Sequence, residues 1–216
     1  INAKSEKVGG VIGSTGSSSN VYNVTANDIT LSGTNYIGGI LGGGTSYVEN
    51  IKISNVNITG NTYVGGIKGK GDGGVSNVIA LEIKIIASGN YIGGVVGSDG
   101  NVSRINLSNL KIENLAMNTE NIGGIIGANP RSIDYCGITD GKINTESSNV
   151  GSIIGFKDGT GSINYNYAVN LEITGKENVG GIVGLFKAGT VSNNYNNTNI
   201  TAKNGYAGGI VGYLDN

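Results

Sequence analysis

Asp28, Glu82 and Asp140 stand at one recurring point of the chain, and Asn55, Asn109 and Asn170 occupy that point in the intervening repeats. Two carboxyl groups about 5–10 Å apart across a cleft are what glycoside hydrolysis needs, so this column is the first test for catalysis. It sits at a bend in the pattern, where side chains face solvent, and stacked amides with scattered charges fit it better. Glu172 and Glu177 lie in repeats like the others, with no insertion to wall a cleft. The stretches "KGDGG" at 70–74, "SDG" at 98–100 and "KDG" at 157–159 each offer one Asp in a turn. Calcium takes several oxygen ligands, whereas Asp-Gly is ordinary turn chemistry; pooling of ligands by adjacent turns is the alternative. "GGILGGG" leads into no helical pattern, so it does not read as a phosphate cradle at a helix N-terminus. With one Cys and no His in the chain, Cys136 has no base to activate it and no partners for zinc. A buried, inert thiol is the expectation there. No catalytic residue, metal site or cofactor is expected in this segment.

Tyrosine is the feature with promise for binding. Tyr36, Tyr63, Tyr91 and Tyr206 share a position, two residues before a glycine, which Asn121, Asn149 and Asn178 fill elsewhere. On consecutive coils, Tyr36, Tyr63 and Tyr91 would form an aromatic edge, a candidate surface for a host glycan or protein. Stacking that only stabilises the fold is the alternative. The formal net charge of −1 gives no general attraction to nucleic acid or anionic membrane. No apolar run approaches the length of a membrane span, so membrane insertion is not expected.

The positioning elements follow from a repeat. "VGGIVG" at 179–184 recurs with small changes from Val8, Ile37, Val64, Ile92, Ile122, Val150 and Ala207. First glycines are spaced 29, 27, 28, 30, 28, 29 and 28 residues apart, the signature of stacked repeats. In the segments from Val48, Val75, Val102 and Ile163, apolar residues fall mostly at offsets 0, 3, 5, 8 and 10. Steps of two are strand alternation, and steps of three require a bend. The spacing predicts an all-β fold, a parallel β-solenoid (β-helix) of about seven coils with about 28 residues per coil. Residues 1–216 read as one such domain, expected to be an internal fragment of a longer repeat-containing protein whose coils adjoin these.

The pairs Gly38–Gly39, Gly65–Gly66, Gly93–Gly94, Gly123–Gly124, Gly180–Gly181 and Gly208–Gly209 read as corner glycines. Apolar residues flank each pair three positions apart, and glycine permits the bend, including positive φ, and close approach of neighbouring coils. The later glycine of each block, such as Gly42 or Gly69, reads as the next corner. Ile67 is expected to point inward and Lys68 outward. Cys136 falls in an inward column that Asn166 and Asn194 continue, where amides must hydrogen-bond along the stack.

The blocks "VGGIVG", "IGGVVG" and "IGGIIG" at this spacing resemble the GLUG motif, a repeat of bacterial surface adhesins and of the non-catalytic regions of secreted immunoglobulin A proteases. The resemblance covers essentially the whole chain. It implies an extracellular setting, on the bacterial cell surface or secreted, and a non-catalytic role as stalk, spacer or adhesive surface. The alternative it carries is an accessory domain of an immunoglobulin A-cleaving zinc metallopeptidase whose catalytic domain lies outside these residues. Ser152 in place of a second glycine, and the Asn-rich "VSNNYNNTNITAK" from Val191, depart from the pattern.

Overall fold

The structure, a computed structural model, describes residues 1–3, 6–16 and 19–215. Every regular element among them is a strand. Each coil contributes a short strand ending at the first glycine, a second short strand after the pair, and a long strand, as in Asn35–Gly38, Leu41–Gly43 and Val48–Gly60. Stacked in parallel, these build two eight-stranded sheets and one ten-stranded sheet. We call them the pre-glycine, post-glycine and long sheets. Like residues pair with like, for example Ile37 with Val64, Val48 with Val75 and Ile58 with Ile85. The fold is a parallel β-solenoid of about seven coils, as the spacing predicts. Its core is one continuous set of aliphatic ladders, since no coil can bury its apolar stripe alone.

Three bends of the coil are made by left-handed residues that are not glycine, whereas the loop after the second short strand uses glycines such as Gly44 (φ 133°) and Gly71 (φ 139°). One column holds Asn23, Asn50, Asn77, Arg104, Tyr135, Tyr165 and Asn193 at φ between 51° and 57°. A second holds Asp28, Asn55, Glu82, Asn109, Asp140 and Asn170, and a third Lys7, Tyr36, Tyr63, Tyr91, Asn121, Asn149 and Asn178. Asn and Asp tolerate this region best because their short polar side chains hydrogen-bond locally, which accounts for the abundance of Asn. The amides also run ladders along the rod, with Asn77 Nδ2 donating to Asn50 Oδ1 at 3.1 Å and Asn50 Nδ2 to Asn23 Oδ1 at 3.0 Å.

The glycine pairs lie at the corner, as expected, but serve only one of the two uses expected of them there. None of their residues has a positive φ; their need is space. A Cβ on Gly39 would lie 2.2 Å from the Gly66 carbonyl oxygen of the next coil, and one on Gly66 would lie 2.2 Å from that of Gly94. The later glycines, by contrast, are not corners. Gly69 lies inside the strand Lys68–Lys70, and a Cβ there would lie 2.6 Å from the backbone nitrogen of Ile37. The pre- and post-glycine sheets therefore meet backbone against backbone. The turn itself is made by hydrogen bonds: the Ile67 carbonyl accepts from both Ile40 N–H (2.9 Å) and Leu41 N–H (3.0 Å). The Val95, Ile125, Ile153, Ile182 and Ile210 carbonyls repeat this double acceptance.

That turn points two successive residues inward, and here Lys68 departs from expectation. Ile67 is buried as predicted, but Lys68 is fully buried too, in register with Leu41 and Val96. Its Nζ donates to the Ser46 carbonyl at 3.0 Å and the Gly73 carbonyl at 2.6 Å, tying together the loops of two successive coils. Burial pushes this ammonium down to about 8, against the pull of Asp72 and Asp99. Lys157, also buried, donates to the Asp158 and Gly159 carbonyls of its own loop. A further difference lies in the repeat spaced 30 residues from its neighbour, which carries a short outward loop at residues 115–118 with Met117 exposed. Buried Asn114 donates to the Gly89 carbonyl at 2.7 Å and Thr119 to the Ala116 carbonyl at 2.9 Å, fixing its base.

Ser152 is buried at a second-glycine position, and its hydroxyl oxygen has no hydrogen-bond partner. Its amide reaches the Gly180 carbonyl at 3.4 Å, against 3.0 Å for Gly124 N–H to the Gly151 carbonyl one coil earlier. Ser152→Gly should stabilise the fold by about 1 kcal/mol, the unsatisfied hydroxyl outweighing the added chain entropy; Gly124→Ser should do the opposite. Urea denaturation of the two variants measures both signs.

Lys68 gives a pH signature. Its folded-state value lies below the unfolded one of about 10.5, so the unfolded chain binds more protons between pH 8 and 10.5, and stability rises with pH across that window. The expected contribution is about 2–4 kcal/mol. Subtracting the stability–pH curve of Lys68→Met from that of the wild type isolates it, and a flat difference curve would contradict the burial.

Candidate functional site

The predicted tyrosine edge exists, with a different character. Tyr36, Tyr63 and Tyr91 occupy left-handed corners at φ 56°, 58° and 63°. Their rings stack face to face, with centroids 5.0 and 4.8 Å apart and planes 6° and 4° from parallel. All three are half-buried. Lys70 Nζ lies 4.1 Å from the centre of the Tyr63 ring and 3.9 Å from Asp99. The ring faces are thus turned toward one another along the stack, and edges and hydroxyls remain for solvent. Tyr206, which shares the sequence position, is not left-handed; it stacks instead on Tyr213, at 4.9 Å. Between the coils of Tyr91 and Tyr206 the column is an amide ladder, with Asn149 Nδ2 donating to Asn121 Oδ1 at 2.9 Å and Asn178 Nδ2 to Asn149 Oδ1 at 2.8 Å.

The carboxylates stay apart. Asp28, Glu82 and Asp140 each sit two coils from the next, about 10 Å along the rod, on one exposed column of left-handed corners with amides between them rather than across a cleft. Asn55 Nδ2 donates to Asp28 Oδ1 at 2.6 Å and Asn170 Nδ2 to Asp140 Oδ1 at 3.3 Å. Glu172 pairs with Lys142 at 2.7 Å, and the hydrogen bond from Lys142 holds its carboxyl below the usual range. Of the turn aspartates, Asp72 faces Arg131 at 3.7 Å, Asp99 faces Lys70, and Asp158 Oδ1 accepts from the Gly159 amide at 2.7 Å. Among the described residues no three acidic, cysteine or histidine side chains cluster as metal ligands.

Cys136 is fully buried in the inward column, and burial pushes its thiol up to about 12. Asn166 and Asn194 are satisfied along the stack. Asn166 Oδ1 accepts the Cys136 amide at 2.9 Å, and its Nδ2 donates to the Ile133 carbonyl at 3.0 Å and to Asn194 Oδ1 at 2.9 Å. Asn194 Nδ2 donates to the Ile163 carbonyl at 2.8 Å. These amides fill the gap where the long strand divides, as between Ser162–Asn164 and Tyr167–Gly175.

On either side of those amides lies a feature the sequence reading passed over. Tyr135 and Tyr165 are exposed at the left-handed corner, and Tyr167 and Tyr195 are exposed two positions further along the strand. Their signal was the same as that of the first edge: tyrosine at one offset on successive coils. Comparison with protein-family models, curated proteins and solved structures finds no match. The chemistry of these surfaces must therefore be argued from their own geometry.

For the first edge, ring stacking must offset a left-handed backbone that disfavours bulky residues by roughly 1–2 kcal/mol each. Tyr63→Ala removes two stacks and keeps the strain, and should destabilise by about 1–3 kcal/mol. Tyr63→Asn should lose less, because Asn accepts the backbone. Thermal melts of the two variants test that order, and equal losses would mean the backbone bears no strain there.

Proposed function

We propose that this chain is a non-catalytic repeat segment of a bacterial cell-surface or secreted protein, acting as a rigid stalk or spacer. The observation that carries this reading is the parallel stacking: on three sides, each coil bonds to the next through parallel ladders from Val8 to Leu214, with one register shift, between Val169 and Glu172 in the last long-strand pair. Such a stack resists bending because any bend must open hydrogen bonds on one side and crowd glycine backbone on the other. Solvent-facing columns such as Thr30, Asn57, Lys84, Lys111, Lys142 and Glu172 keep the shaft hydrated. Stacked half-buried rings and edge amides fit a role for Tyr36, Tyr63 and Tyr91 within the shaft itself.

Rigidity is measurable. Thr30 heads an outward column in which Glu172 lies five coil rises, or about 24 Å, further along. Spin labels on Thr30→Cys and Glu172→Cys should give one narrow distance distribution, with buried Cys136 silent toward the label. A broad distribution would remove the spacer reading.

A further inference from the structure

Beyond the shaft, one face is built as a platform rather than a ladder. Tyr135 and Tyr165 stack with centroids 5.0 Å apart and planes 11° from parallel, so their faces meet each other and their edges and hydroxyls border the platform, both about half exposed (57% and 48%). Tyr167 does something else. A Cβ on Gly137, its partner on the preceding coil, would lie 2.0 Å from Tyr167 Cζ and 2.3 Å from its hydroxyl oxygen. The ring is therefore laid down over Gly137, covering the space a side chain would take. Tyr195 follows on the next coil in the same column, 58% exposed.

The mounting is rigid. Tyr165 and Tyr167 flank Asn166, which is 1% exposed and hydrogen-bonded to the coils on both sides. The Tyr167 amide donates to the Cys136 carbonyl and the Tyr195 amide to the Asn166 carbonyl, each at 2.9 Å. At the border, Ser162 donates to Asp134, and Ser192 and Asn193 to Asn164. The face thus joins four aromatic rings to phenol hydroxyls and a hydroxyl–amide border. Because this surface is the broad side of a sheet, its backbone amides are taken up in the ladders, so a peptide cannot bind here by strand addition.

We infer that the Tyr167 and Tyr195 rings, bordered by the edges and hydroxyls of Tyr135 and Tyr165, form a binding face for an extended oligosaccharide lying along the rod. A sugar ring offers an apolar C–H face to an aromatic plane and equatorial hydroxyls to the polar rim. Successive coils place these rings about one coil rise apart, comparable in length to one pyranose unit. The inference concerns a face other than the Tyr36–Tyr91 edge and does not depend on the spacer reading, which the label distances test separately.

The test uses the whole chain with cello-, chito-, xylo- and malto-hexaose as probes, followed by calorimetry and by tyrosine ring resonances. At least one probe should bind saturably at millimolar concentration and shift the Tyr165 and Tyr167 rings. Tyr167→Ala should weaken that binding about tenfold. Gly137→Val should weaken it comparably by lifting the Tyr167 ring, and it leaves all four tyrosines in place. Tyr63→Asn should leave it unchanged, and the melting temperature of each variant reports folding. Absence of saturable binding by all four probes, or binding that survives both Tyr167→Ala and Gly137→Val, would overturn the inference. Self-association that is lost in those two variants, without any saccharide binding, would overturn it in favour of a second copy of the chain.

Discussion

Two sheets of this molecule are brought together by glycine backbone, with side chains such as Lys70 and Tyr63 meeting beside it, and the rest of the structure depends on that contact. Between the pre- and post-glycine strands there is no room for a Cβ: from Gly69 a side chain would run into the Tyr36–Ile37 peptide, and from Gly39 into the next coil's carbonyl. The glycines therefore serve proximity rather than flexibility. Removing side chains on one wall draws the aliphatic columns of the long sheet toward Ile37, Ile40 and Leu41, so that each coil has a dry interior only a few side chains wide. Where one Cβ intrudes, at Ser152, the disturbance is local because the coils above and below keep their glycines.

A narrow coil must turn sharply several times, and here the turns fall to side chains that accept left-handed backbone. Asn and Asp do so cheaply, then hydrogen-bond along the axis, so one residue type both bends the chain and joins it to the next coil. Tyrosine at such corners is held by its neighbour's ring instead. Lysine enters the interior on similar terms. Lys68 replaces an aliphatic residue, and its ammonium satisfies the Ser46 and Gly73 carbonyls that the turn leaves facing inward. Each departure from an apolar interior supplies hydrogen bonds where the ladder lacks them, as Asn166 does for the Cys136 amide.

The coil length, the parallel register and the inward columns were legible because periodicity reports which residues share an environment. The sequence could not reveal the meaning of a bend from its spacing alone. Ile37 and Ile40 demand a turn between them, but the same letters fit a turn made by positive φ and one made by paired N–H groups on a shared carbonyl. Alternation placed Lys68 outside; the Leu41, Val96 and Ile126 that share its column argued otherwise, and only the double inward step at the corner reconciles them. The tyrosine edge was found from the repeated position beside the glycine block. Tyr135, Tyr165, Tyr167 and Tyr195 carry the same kind of signal in a less regular part of the repeat, and Gly137, which decides how Tyr167 lies, looks like any other glycine until the ring is seen across it.

The shared corner carbonyls have an implication for the molecule as a whole. At each of these turns, Gly39, Ile40 and Leu41 and their equivalents send successive N–H groups toward the following coil, so that corner is vectorial. One end of the column is rich in donors and the opposite end in acceptors. A coil stacked in the reverse sense would set N–H against N–H at this corner, whereas one stacked in the same sense seats its carbonyl there. Stacking in this fold therefore has a direction, and mirror-like pairing of coils is disfavoured by the backbone itself.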